Sequence, residues 1–166
     1  PPSPAPGPRR PPRPPLGRRP RPGQRGGCGL VRELAADRSA WEHLVRYDAT
    51  TRWYHRLRTG PGYEVWLLSW LPGQGSGRHD HGPSSGVWTV LEGTLTEHTA
   101  RGTRAMEAGT QRVFAPGHVH EVVNDALEPA VSLHVYYPGL TEMPMHAPQC
   151  SAAAFRDSGA DAAPAR

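Results

Sequence analysis

The chain carries nine histidines, and they are unevenly spread. His79 and His81 stand two apart in "GRHDHG". His118 and His120 stand two apart after the Pro116-Gly117 turn, and His134 lies in the apolar run 129–138. Residues i and i+2 of an extended strand share a face. His79 and His81 can therefore point together into a cavity while Asp80 points away or holds the turn. Neutral imidazole is a common ligand for zinc, copper, iron and nickel. Two histidines from one strand end and one from a neighbouring strand would place three nitrogen donors on one side of an octahedral ion, leaving positions open for substrate. An H-x-H pair alone fits a surface turn equally well. The second pair after a Pro-Gly turn is what favours a metal.

Two further groups of residues could serve such a site. In "SLHVY", Ser132, His134 and Tyr136 share one strand face, and Val131, Leu133, Val135 and Tyr137 share the other. The apolar file suits packing and the polar file suits a cavity, although a structural hydrogen-bond ladder would show the same alternation. "RWYHRLR" offers Arg52, Arg56 and Arg58. A planar guanidinium matches the two oxygens of a carboxylate, though most arginines are solvated surface charges. Leu68 and Trp70 alternate on the run that leads to His79, where they suit a pocket wall or a core.

The elements that must position these residues are mostly strands. "YEVWLLSWL" (63–71) is rich in β-branched and aromatic residues and ends at the turn "PGQGSG". Residues 86–93, 94–100, 111–117, 118–124 and 129–138 form further short runs, with Gly, Asn, Asp or Pro in the gaps. Short strands at near-regular spacing predict an all-β sandwich or barrel. Residues 29–47 read as helical, with Leu30, Leu34 and Ala35 at helical spacing. Asp37 or Ser39 is placed to cap a second helix carrying Trp41, Leu44 and Val45.

Composition bounds the rest. Of 166 residues, the first 25 hold eleven prolines and seven arginines and no acidic residue. Such a stretch cannot pack a core and reads as a disordered tail over 1–26. The domain then spans 27–150, with a weakly ordered tail over 151–166. The net charge of +4 belongs to the N-terminal tail, because the remainder has 12 arginines against 15 acidic residues. An Arg/Pro tail can touch nucleic acid or anionic membrane. The plainer expectation is an extension with no specific nucleic-acid partner. No apolar run is long enough to span a bilayer, and a single leucine in the first 25 residues gives no signal-peptide core. Cys28 and Cys150 are too few and too far apart for a disulfide framework. A soluble cytoplasmic protein without membrane contact is expected.

Spacing sharpens the histidine signal. Gly73, His79, His81, Gly86 and Gly93 read G-x5-H-x-H-x4-G-x6-G, and Pro116, Gly117, His120 and Asn124 read P-G-x2-H-x3-N. These resemble the two motifs of the cupin superfamily, which implies a jelly-roll β-barrel preceded here by short N-terminal helices. The usual first motif has a glutamate ligand where this chain has Gly86. Together with "YEVWLLSWLPGQGSGRHDHG" and "PAVSLHVYYP", the pattern resembles the bacterial cysteine dioxygenases, over roughly residues 30–145.

That resemblance implies Fe(II) held by His79, His81 and His120, with His118 a rim residue. It implies a Ser132-His134-Tyr136 relay that orients the tyrosine hydroxyl. The family's Tyr-x-Arg element maps best onto Tyr54-His55-Arg56, so Arg56 is expected to hold the substrate carboxylate with Tyr54 supporting it. The cysteine that crosslinks to tyrosine in mammalian members would fall at Gly86, so no crosslink is expected. Tyr137-Pro138 is a suspected cis peptide, and a monomer is expected. The implied reaction oxidises L-cysteine with O2 to cysteine sulfinic acid. Three neutral ligands leave an ion its full charge, which suits a thiol that loses its proton on binding. One alternative is the same chemistry on 3-mercaptopropionate, whose enzymes usually have glutamine in place of the arginine. The other is a non-catalytic metal-binding cupin that senses a small ligand.

Overall fold

The computed structural model describes residues 22–147. Helix α1 spans Pro22–Ala36. It begins inside the stretch expected to be a disordered tail. Proline is tolerated in the first turn of a helix, where its missing N–H would have no partner. The expectations for residues 1–21 and 148–166 lie outside the described residues. The second predicted helix is instead two 3-10 turns, Arg38–Ala40 and Glu42–Leu44, with Trp41 between them. Asp37 makes no capping bond to the backbone; its carboxylate accepts the Ser39 hydroxyl at 2.6 Å. The two expected caps satisfy each other and leave the helix start uncapped.

Eight strands follow: β1 Trp53–Gly60, β2 Tyr63–Trp70, β3 Ser85–Glu92, β4 Thr94–Thr99, β5 Gly102–Glu107, β6 Gln111–Phe114, β7 His120–Val123 and β8 Ala130–Tyr137. All pair antiparallel. One sheet has the order β1-β2-β8-β3-β6 and the other β5-β4-β7. β1 and β5 were not anticipated. β1 is an edge strand made largely of Arg, His and Tyr, and β5 buries only Met106.

The strand period of two builds two cores. Val65, Leu67, Val87, Val131, Leu133 and Val135 face out of the larger sheet and pack on Val31 and Leu34 of α1 and on Trp41. The opposite files, with Leu68, Trp70, Trp88, Val90 and Tyr136, meet Leu95, Met106 and Val122 of the smaller sheet. The helix therefore shields one face of a barrel whose interior is shared by both sheets. Among the described residues no helix is long and apolar enough to cross a membrane. The Tyr137–Pro138 peptide is cis.

Candidate functional site

The segment between β2 and β3 is zipped onto β7. Gly73 N–H donates to the Asn124 carbonyl at 2.7 Å, and Asn124 N–H returns a bond to Gln74 O at 2.9 Å. The Ser76 N–H bonds Val122 O at 2.8 Å, and the Ser76 hydroxyl accepts Val122 N–H at 2.9 Å. Gly73 and Gly77 have positive φ (83° and 66°), the left-handed backbone these turns need and side chains resist. The zipper ends where His79 and His120 exchange two backbone hydrogen bonds, each 2.9 Å. Directly opposed residues of an antiparallel pair send their side chains to the same face. His81 follows on that face. Asn124, fully buried, donates through Nδ2 to Trp70 O and Glu128 O at 3.1 and 2.9 Å and accepts Ala126 N–H at 3.1 Å. It thereby closes the chain around the barrel mouth.

The result brings His79, His81 and His120 together, each less than 5 % exposed, with ligand atoms all within 4.8 Å of one another. His79 Nδ1 lies 2.9 Å from Gly77 O. A carbonyl only accepts, so Nδ1 carries the proton and Nε2 the lone pair. His120 Nδ1 lies 2.9 Å from the Glu97 carboxylate, and its buried Nε2 has no hydrogen-bond partner among the described residues. His79 Nε2 and His81 Nε2 stand 3.2 Å apart. Two nitrogens at right angles, each about 2.1 Å from one ion, would be about 3.0 Å apart. Burial pushes the His79 imidazolium down to about 4 and that of His81 to about 3. Both rings are therefore neutral at pH 7, the form a metal requires. The donor set fits a divalent metal ion and contains no carboxylate.

Asp80 turns away from this cluster. Its Oδ1 accepts Gly82 N–H and its Oδ2 lies against His146 Nε2, both at 2.6 Å. Gly86 stands in the β3–β6 and β3–β8 registers, opposite Phe114 and Tyr136. A Cβ there would overlap the Val135 carbonyl oxygen and lie 2.5 Å from Phe114 Cζ. The Phe114 ring fills that space, 4.8 Å from His81 and 6.0 Å from Tyr136.

A cavity of about 30 Å³ opens beside the histidines, walled by Arg52, Leu68, Trp70, His134, Tyr136 and Met143 among others. Trp70 Nε1–H donates to Ser132 Oγ at 2.9 Å, and Ser132 Oγ lies 2.9 Å from His134 Nε2. The hydroxyl accepts the indole N–H and shares a second hydrogen bond with the His134 ring nitrogen. The His134 ring stacks on Trp88 at 5.4 Å. Its centroid is 6.3 Å from that of Tyr136, and no hydrogen bond joins the two. Burial holds the His134 imidazolium far below its ordinary range and raises the Tyr136 phenol above its own. Tyr136 is thus a neutral hydroxyl whose ring sits 4.9 Å from His81.

The structure does not bring Arg56 to the histidines. Its side chain is 54 % exposed and bonds Glu64 at 3.2 Å, and its guanidinium lies over Trp66. Tyr54 is 60 % exposed and lines an outer cavity of about 220 Å³ with Trp66, Leu140 and Met143. Arg52 is the arginine that lines both cavities. Its Nη1 bonds Gly75 O at 3.3 Å and its guanidinium lies 5.4 Å over Trp70. Its Nε is buried without a hydrogen-bond partner, and among the described residues no carboxylate is within ion-pair distance of it. Arg52 stood among the three sequence candidates; what could have selected it is Glu64, an acidic residue just across the β1–β2 hairpin and able to claim Arg56. Glu97, one per cent exposed behind His120, was missed altogether.

Known structures share this architecture. A protein from Thermus thermophilus is 26% identical, with 59% of this chain and 93% of that one covered at a TM-score of 0.56. A Klebsiella pneumoniae protein with a double-stranded β-helix domain is 23% identical, covering 64% and 94% at 0.59. A cupin superfamily protein from Desulfitobacterium hafniense is 9% identical, covering 59% and 87% at 0.52. The fold is therefore a cupin jelly-roll. The family model for cysteine dioxygenase type I matches residues 28–147, and the chain belongs to that family.

Proposed function

We propose that this protein is an Fe(II)-dependent thiol dioxygenase that oxidises L-cysteine with O2 to cysteine sulfinic acid. The observation that carries this reading is the inner cavity, where three imidazoles converge beside Arg52, a guanidinium with no carboxylate partner among the described residues. Iron(II) held by His79, His81 and His120 would supply the activation of dioxygen and of the thiol. In the net reaction the S–H and O–O bonds break, two S–O bonds form, and the sulfur gives up the four electrons that dioxygen takes; the proton remains on the sulfinic acid or passes to solvent.

The protein's own side chains would set the geometry. A desolvated guanidinium is costly without a counter-charge, so Arg52 is the group that would receive the substrate carboxylate. Tyr136, neutral and at the cavity wall, would donate its hydroxyl to the reacting atoms. Trp70, Ser132 and His134 would hold that wall rigid and dry. Tyr54 would act only at the outer mouth, and Arg56 would have no contact with substrate. Among its lining residues the inner cavity offers no carboxylate for an α-ammonium group. That favours 3-mercaptopropionate, which has none, as a second substrate reading.

The test is an oxygen-electrode measurement on the iron-loaded protein with cysteine, 3-mercaptopropionate and cysteamine. One O2 consumed per sulfinate formed from cysteine is the expected result. No uptake above a His79→Ala control with any thiol would refute the enzyme and leave a binding module.

A further inference from the structure

We infer that Glu97 is a positioning residue for the metal centre: its carboxylate, inside the barrel, fixes the tautomer and aim of His120 and lends that ligand negative charge. This rests on the proposed metal site but adds a residue to it. Glu97 sits in β4 between Val122 of β7 and Arg104 of β5. With Leu95 it forms the strand file that faces the barrel interior, where Leu95 is fully buried in the core. A carboxylate in an apolar file is costly unless it is paired and hydrogen-bonded.

Its two oxygens divide the work. Oε1 accepts His120 Nδ1–H at 2.9 Å, which leaves Nε2 as the lone-pair nitrogen facing His79 and His81. Oε2 accepts Arg112 Nε–H at 2.9 Å from β6 of the other sheet. His118 Nε2 lies 3.7 Å from Oε1, outside hydrogen-bond reach. The burial cost falls on the Glu97 carboxyl, yet the neighbouring His118, His120 and Arg112 outweigh it and hold the group below the ordinary carboxylate range. Glu97, His118 and His120 could be read as a second metal cluster. The Glu97–His120 contact argues against that, because the nitrogen such an ion would need already carries the proton that Glu97 accepts.

A purely structural role is the competing explanation, since Glu97–Arg112 also ties the two sheets together. A carboxylate behind a ligating imidazole raises its basicity, and losing it typically lowers metal affinity about 10–100-fold. The experiment measures Co(II) affinity of the full-length apoprotein by chelator competition, with circular dichroism to check the fold. Glu97→Gln should weaken Co(II) binding at least about tenfold, and Glu97→Asp should recover part of it. A Glu97→Gln/Arg112→Met double variant removes both charges and leaves no guanidinium without its partner. It should show the same loss. Folded variants that bind Co(II) as tightly as the parent overturn the inference. A His79→Ala variant that also binds unchanged would instead refute the metal site itself.

Discussion

Replacing Arg52 with Gln removes the one guanidinium that, among the described residues, lines the inner cavity, and leaves a shorter, neutral polar side chain. In the protein that guanidinium bonds Gly75 O, stacks over Trp70 and leaves Nε buried without a partner. Among the described residues its other N–H groups have no hydrogen-bond partner, so a substrate carboxylate would meet them unopposed. A hydrogen bond to a charged partner contributes about 1.5–3 kcal/mol. At about 1.36 kcal/mol per tenfold change, kcat/KM for cysteine should fall about 10- to 150-fold in Arg52→Gln. Arg56 is already paired with Glu64 at the surface. Arg56 lines neither cavity, so Arg56→Gln should leave kcat/KM close to the parent value. The assay is initial-rate O2 uptake with cysteine and with cysteamine, which has no carboxylate and should feel Arg52→Gln little. Equal losses on both thiols, or a larger loss from Arg56→Gln than from Arg52→Gln, would refute the assignment.

Two further outcomes follow from the same geometry. His79 and His81 are held neutral by burial, down to about 4 and about 3. The unfolded chain takes up their protons first as pH drops below about 6.5. The metal-free protein should therefore have the full contribution of these groups above that pH and lose stability progressively as pH falls below it, because the unfolded chain then binds more protons than the folded one. Denaturant melts across that range check it, and a flat profile would contradict it. Gly86→Ala would drive a methyl group into the Val135 carbonyl and the Phe114 ring. It should cost about 1–3 kcal/mol or more, read as a lowered denaturation midpoint; an unchanged midpoint would show that the β3–β8 contact yields freely.

Much of the fold was legible because the strands that line the core are apolar and the turns between them carry Gly, Pro or Asn. β2, β3, β4, β6, β7 and β8 fall within a few residues of where that pattern puts them. β1 was hidden by its own chemistry. It is an exposed edge with a register shift between Arg56 and Arg58, and its arginines read as a source of charge rather than as a strand. The same blindness put the expected carboxylate contact on Arg56, whereas the arginine that lines the inner cavity is Arg52. Arg52 and Arg56 are four apart in one alternating file, and alternation cannot say which end of a file meets the cavity. Only the hairpin, which gives Arg56 to Glu64, separates them. The helical spacing of Trp41, Leu44 and Val45 falls on two 3-10 turns, with Trp41 at φ −138° between them and no side-chain cap bond at either start.

Charge explains why these pieces belong together. The inner cavity has a guanidinium on one wall and, among its lining residues, no acidic side chain. Imidazole binds a metal as an uncharged donor, so a divalent ion held by the three histidines would add to the positive potential rather than cancel it. Gly86 cannot be exchanged for a residue bearing a carboxylate without displacing the Val135 carbonyl and Phe114. Behind His120 lies the Glu97 carboxylate, already bonded to His120 and Arg112. It can tune one ligand but cannot neutralise the cavity. A molecule entering that space is favoured if it brings two negative groups, one for Arg52 and one for the ion, a short span apart. A thiol that ionises on binding and carries a carboxylate on a short carbon chain meets both demands with few atoms, which is why the position of Arg52 bears on substrate choice as much as the histidines do.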